Sequence, residues 1–140
     1  MSISIISTPD APAPSGAYSQ AVVANGLVYT GGMAPIDMAS GELVTGDAAA
    51  ETRLVMENLA VVLKAAGSSL DHVMKATVHL HELDRDWATF DAAFKEFFPK
   101  GAPARTTVGS KLGGFLVEID LVAVAPGDDG DLARVSDSQR

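Results

Sequence analysis

The 140-residue chain has no cysteine, which excludes disulfides, thiolate metal sites and a cysteine nucleophile. Positive charge is also scarce. Ten Lys and Arg stand against eighteen Asp and Glu, giving a formal net charge of -8. Nucleic-acid binding needs a basic face or stripe, so this balance argues against such a partner. None of the basic residues precedes Arg53, whereas a secretory or mitochondrial leader needs early Lys or Arg. No apolar run approaches the ~20 residues of a membrane helix. The expectation is a cytoplasmic protein that makes no use of a membrane. What the chain does have is 47% apolar residues, enough for a packed core, in a length that suits one domain.

Ile3 to Ile6 reads as a short strand, followed by a loop kept extended by Pro9, Pro12 and Pro14. Asn25-Gly26 between two apolar runs predicts a two-residue hairpin turn joining strands Ala17 to Ala24 and Leu27 to Gly31. Residues 37–47 are turn-rich. Val55, Leu59, Val62, Leu63 and Ala66 fall at helical spacing within Glu51 to Ala66, which Gly67 can end. Met74 to Leu80 reads as a strand. Asp84 to Phe98 reads as a second helix, its Trp87, Phe90 and Phe94 stripe anchoring it on the sheet. Arg105 to Lys111 and Leu116 to Ala125 read as a final strand pair around Gly113-Gly114. The acidic remainder, 126–140, reads as a mobile tail outside a domain of residues 1–125. The fold class is α/β (α+β), with a mixed sheet of about six strands and two helices. Two helices cover one face only, and the apolar character of VEIDLVAVA favours burial of the other against a second copy.

If Gly113-Gly114 forms a two-residue turn, Gly109 lies opposite Glu118 and Thr107 opposite Asp120. Arg105, Thr107, Glu118 and Asp120 then share one face, and Val117, Ile119, Leu121 and Ala123 point to the helices. Two readings of that face stay open. Arg105 either pairs with Asp120 as a structural ion pair, or grips an anion with its fork while Glu118 orients water.

Several segments in order carry a family resemblance: SGAYSQA (Ser15 to Ala21), LVYTGG (Leu27 to Gly32), GEL (Gly41 to Leu43), the long run from Glu51 to Leu80, PARTTV (Pro103 to Val108) and VEIDLVAV (Val117 to Val124). From about Ser7 to Val124 the chain resembles the RidA/YjgF family of reactive-intermediate deaminases. The resemblance implies a chorismate-mutase-like fold, a trimeric barrel with a ligand cleft at each subunit interface, and no metal or cofactor. It implies hydrolysis of small enamine or imine acids such as 2-aminoacrylate to 2-keto acids and ammonia. Arg105 would bind the substrate carboxylate, Glu118 would position the attacking water, and Tyr18 would line the cleft, with Asp91 and Thr107 at family positions around the substrate. Gly31 and Gly32 either offer backbone amides to a ligand carboxylate or mark a close-packed strand.

This chain departs from the family pattern at four places. Gly31 stands where a serine is frequent, Asp91 where an asparagine is frequent, Thr107 where a cysteine is frequent, and Ala17 where proline usually precedes the tyrosine. Asp91 would repel a substrate carboxylate or pair with a protonated imine. A non-catalytic trimer that binds small carboxylates is therefore the second reading. The ribonuclease activity sometimes attached to the family is disfavoured by the charge of -8. His79 and His81, two apart and with Glu82 nearby, could face one metal, but three spatially arranged ligands are not evident. They read as surface histidines on an edge strand.

Overall fold

A computed structural model describes residues 2–126; the expected tail, apart from Pro126, lies outside the described residues. Six strands form one sheet: β1 (Ser4–Ile6), β2 (Ala21–Ala24), β3 (Leu27–Thr30), β4 (Val73–Leu80), β5 (Ala104–Gly109) and β6 (Val117–Val124). Two helices, α1 (Ala48–Ala65) and α2 (Leu83–Lys95), follow β3 and β4 respectively. The sheet order is β1-β2-β3-β6-β4-β5, and among the described residues only the β4–β5 pair is parallel.

The β2–β3 turn forms as the Asn-Gly pair requires, with φ of 52° at Asn25 and 74° at Gly26. β2 begins at Ala21 rather than Ala17, because Gln20 is committed elsewhere. Its buried side chain accepts the Thr8 N–H at 2.7 Å and donates to the carbonyls of Thr8, Ala11 and Pro12. One amide thereby ties the proline-rich loop to the sheet. α1 starts three residues before the sequence pattern suggested, since Asp47 Oδ1 caps the N–H groups of Ala49 and Ala50.

Both helices lie on one face. β4 and β6 alternate strictly, with Ala76, Val78, Leu80, Val117, Ile119, Leu121 and Ala123 buried under Val55, Met56, Leu59, Leu63, Phe90 and Phe94. The opposite face is open. Val22, Tyr29 and Val122 form its apolar half, and Lys75, Thr77, His79, Glu118 and Asp120 its polar half.

The expected β5–β6 hairpin does not form. β4 lies between the two strands, so Gly109 is not opposite Glu118 and Thr107 is not opposite Asp120; the register instead pairs Ala76 with both Arg105 and Leu121, and His79 with Glu118. Residues 110–116 are long enough to step across the ~10 Å of two strand spacings, and a Gly-Gly pair need not make a tight turn. The step is pinned by His81 beyond the end of β4. Its N–H donates to Leu116 O at 2.9 Å, and its Nδ1 accepts the Leu112 N–H at 3.0 Å. β4, α2 and β5 form instead a strand–helix–strand crossover, the connection that parallel strands require. β4 is therefore an interior strand, and His79 is not on an edge. Its Nδ1 lies 2.6 Å from Ser110 Oγ.

Candidate functional site

The register divides the sequence-derived site residues into two groups. Glu118 and Asp120 point to the open face, whereas Arg105 and Thr107 share the helix-covered face with Ala76 and Val78. The expected single face bearing all four is therefore wrong. The error has one cause. Inserting β4 between the strands changes the pairing on which the parity argument rested.

The first group surrounds a break in the β3–β6 ladder. Tyr29 opposes Val122 and Met33 opposes Ile119, so four steps on one strand span three on the other. The extra residue is a bulge at Gly31-Gly32, a device that re-aims neighbouring side chains. Glu118 reaches across it. A Cβ on Gly32 would lie 2.8 Å from Glu118 Oε2, and a Cβ on Gly31 would lie 2.9 Å from the Ser19 carbonyl. The carbonyl is backbone and cannot yield, which explains why Gly31 is not a serine in this backbone. Tyr18 closes over the bulge, with its Oη accepting the Ser15 N–H at 3.0 Å. Pro12, Tyr18, Gly31, Gly32, Phe115 and Glu118 line a cavity of about 150 Å³, the size of a small organic acid rather than a large ligand. Among the described residues, no Lys or Arg lines it.

Gly32→Ala is expected to leave stability nearly unchanged, because the end of a flexible glutamate side chain can move aside. If Glu118 takes part in a reaction, activity should fall by up to ~100-fold, since displacing a reacting group by about 1 Å has that effect. Urea unfolding and turnover measured on one preparation separate the two effects.

The second group gathers at the edge strand β5 and α2. Arg105 Nε donates to Thr107 Oγ1 at 2.8 Å, and Nη1 donates to Asp91 Oδ1 at 2.7 Å. Its guanidinium carbon lies 5.5, 5.1 and 5.2 Å from the ring centres of Trp87, Phe90 and Phe94. The aromatic stripe thus does more than anchor α2. Phe90 and Phe94 are buried in the core, while Trp87 stays 45% exposed, and the three rings form a seat for the cation. Arg105 pairs with Asp91, not with Asp120. Helical spacing identified the stripe, but nothing in the sequence placed β5 beneath it.

Asp120 lies on the open face away from Arg105. Burial raises its carboxyl above the ordinary 3.8, against the opposing charges of His79 and Lys75. A carboxyl whose folded value is raised costs stability once pH exceeds that value, and costs nothing below its unfolded value. Asp120→Asn is therefore expected to stabilise the fold at neutral pH. The advantage should vanish as pH falls below the carboxylate range, as urea midpoints at the two pH values would show.

Glu51, which opens the expected first helix, has a role that the sequence does not reveal. Fully buried in the first turn of α1, it accepts the N–H groups of Gly46, Leu116 and Val117 at 3.0, 2.6 and 3.2 Å. It thereby fixes the start of the strand that carries Glu118. A Glu opening an amphipathic helix carries no sequence signal for this role.

No described helix is long and apolar enough to cross a membrane. Comparison with known proteins converges on one family. A family model described as endoribonuclease L-PSP matches residues 8–125. A 2-iminobutanoate/2-iminopropanoate deaminase of Bos taurus is 41% identical over 122 residues, covering 86% of this chain and 88% of that protein. A RutC family protein of Pyrococcus horikoshii is 41% identical over 121 residues, covering 85% of this chain and 95% of that one. Among solved structures, E. coli TdcF with bound serine superposes with a TM-score of 0.79 at 33% identity, covering 86% of this chain and 98% of that chain. With the bulge, the glutamate and the seated arginine falling within the matched segment, the chain belongs to the RidA/YjgF family.

Proposed function

We propose that this protein hydrolyses small 2-imino acids, or the enamines in equilibrium with them, to 2-keto acids and ammonia without a cofactor. The observation that carries the proposal is the Glu118 carboxylate set over the Gly31-Gly32 bulge in a cavity sized for a small acid. An imine carbon is already electrophilic, so the reaction needs a positioned water and proton transfers rather than a strong nucleophile. Glu118 takes a proton from water as its oxygen bonds to the imine carbon. With the imine nitrogen protonated at the outset, the product is a neutral amino alcohol. It collapses as that proton passes to nitrogen, the C–N bond breaks to release ammonia, and the hydroxyl proton passes back to Glu118 as the carbonyl forms. The similarity to a 2-iminobutanoate/2-iminopropanoate deaminase supports this substrate class.

Arg105 supplies the carboxylate anchor, and the topology supplies a constraint. Within one chain Arg105 and Glu118 point from opposite faces of the sheet, two strands apart. A four-carbon acid cannot touch both. The site is therefore composite: the β5 edge and α2 of one subunit, bearing Arg105, Thr107 and Asp91, close the cavity of a neighbour bearing Glu118, Tyr18, Gly31 and Gly32. A homotrimer, as in the family's barrel, brings each pair together and buries the apolar half of the open face.

The test is release of ammonia and 2-ketobutyrate from 2-iminobutanoate generated in situ. A rate no faster than spontaneous hydrolysis would remove the enzymatic reading. The non-catalytic, carboxylate-binding alternative has one observation in its favour, the prior engagement of Arg105 by Asp91. In that case 2-ketobutyrate would bind without turnover, and binding would be lost in Arg105→Ala.

A further inference from the structure

Arg105 is not a free anion site. Of its five N–H donors, the one on Nε is given to Thr107 and one on Nη1 to Asp91. The Thr107 hydroxyl blocks the side-on fork of Nε and Nη2. A ligand carboxylate must approach end-on, across Nη1 and Nη2, and this brings it alongside the carboxylate already on Nη1. The Arg105 side chain is 18% exposed and that of Asp91 52% exposed, so Asp91 is the solvent-facing member of the pair. Asp91 Oδ2 makes no hydrogen bond among the described residues.

This geometry has two effects on a bound acid. The negative charge of Asp91 offsets much of the attraction of Arg105 for a simple monocarboxylate, because like charges a few ångströms apart in a partly buried site repel strongly. The same oxygen offers a ready acceptor to a cation on the ligand. Together, Arg105 and Asp91 form a dipolar clamp, cation inside and anion toward solvent, complementary to a molecule that carries a carboxylate and a second, positive group. We propose that Asp91 is a specificity-determining residue that directs the site toward 2-imino acids bearing an amino or guanidino side chain, and away from simple aliphatic ones. The inference deepens the deaminase reading and rests on its assignment of Arg105 as the carboxylate anchor.

The chain offers its own probe. Trp87 is its one tryptophan, and its ring centre lies 5.5 Å from the Arg105 guanidinium carbon. Intrinsic fluorescence can therefore follow binding of two stable product analogues, 2-ketobutyrate and 5-guanidino-2-oxopentanoate. The wild-type protein is expected to bind the guanidino acid at least ~10-fold more tightly, with the preference shrinking as salt screens the pair. Asp91→Asn, which keeps shape and loses charge, should tighten 2-ketobutyrate and reverse the order. Arg105→Ala should weaken both. An unchanged ratio of affinities in Asp91→Asn would overturn the inference even if 2-iminobutanoate is turned over normally. A ratio that switches in a protein without turnover would overturn the enzymatic reading and leave the clamp standing.

Discussion

Mixing Arg105→Ala protein with Glu118→Gln protein is expected to restore imine hydrolysis that neither variant shows alone. Glu118→Gln retains the shape over Gly32 but removes the base, and loss of a general base typically reduces kcat by 10²- to 10⁴-fold. Arg105→Ala removes the anchor and leaves Asp91 without its cation, so KM should rise steeply as well. If each site takes Arg105 from one subunit and Glu118 from the next, mixed assemblies contain sites in which both residues are intact. For random reassortment of equal amounts, each residue is intact in half the subunits, so about a quarter of wild-type activity returns. A site contained in one chain would give no recovery at any mixing ratio. Co-expression of two tagged variants, followed by purification through both tags, makes the measurement. Failure to recover activity in demonstrably mixed oligomers would refute the composite site.

The experiment addresses the point at which sequence and structure diverge most. Local features were legible wherever a short-range signal sets the outcome. Asn25-Gly26 fixed one hairpin, helical spacing located α1 and α2, and the alternation of Val117, Ile119, Leu121 and Ala123 correctly identified the face under the helices. Strand order is a non-local property. Gly113-Gly114 suggested a tight turn, yet the seven residues from Ser110 to Leu116 pass over the end of β4, and no local signal distinguishes the two paths. One wrong neighbour then reversed the relation between Arg105 and Glu118.

The site residues fared unevenly for a similar reason. Tyr18, Gly31, Gly32 and Glu118 do converge in one place, and Arg105, Thr107 and Asp91 converge in another. Family motifs identified both groups without showing that they are separate. Physical causes were less visible still. The bulge arises from a count of residues between two distant pairings, and the need for Gly31 from the position of the Ser19 carbonyl. Gln20 and Glu51, two buried polar side chains that hold loops against the sheet, look like ordinary surface residues in the sequence.

Glu51 gives the largest expected loss of stability. A buried carboxylate in the first turn of a helix is favoured by the helix dipole and by the three backbone N–H groups whose hydrogen bonds it accepts. Glu51→Ala leaves the N–H groups of Gly46, Leu116 and Val117 without an acceptor and opens a void. At ~1–3 kcal/mol per orphaned group, with water recovering part of the cost near the exposed Gly46 loop, the expected loss is about 3–5 kcal/mol. Glu51→Gln discriminates between charge and hydrogen bonding. Its amide oxygen can still accept from Leu116 and Val117, but its NH₂ would face the Gly46 N–H, donor against donor, so a loss of about 1–2 kcal/mol is expected. Urea denaturation of the two variants should show this order. Because Leu116 and Val117 lead into β6, the defect should also reach Glu118: below the unfolding transition, Glu51→Gln should lower kcat more than it alters KM. A loss of stability with kcat unchanged would confine Glu51 to holding the fold. A fall in kcat in folded protein would place it among the residues that aim the carboxylate over the bulge.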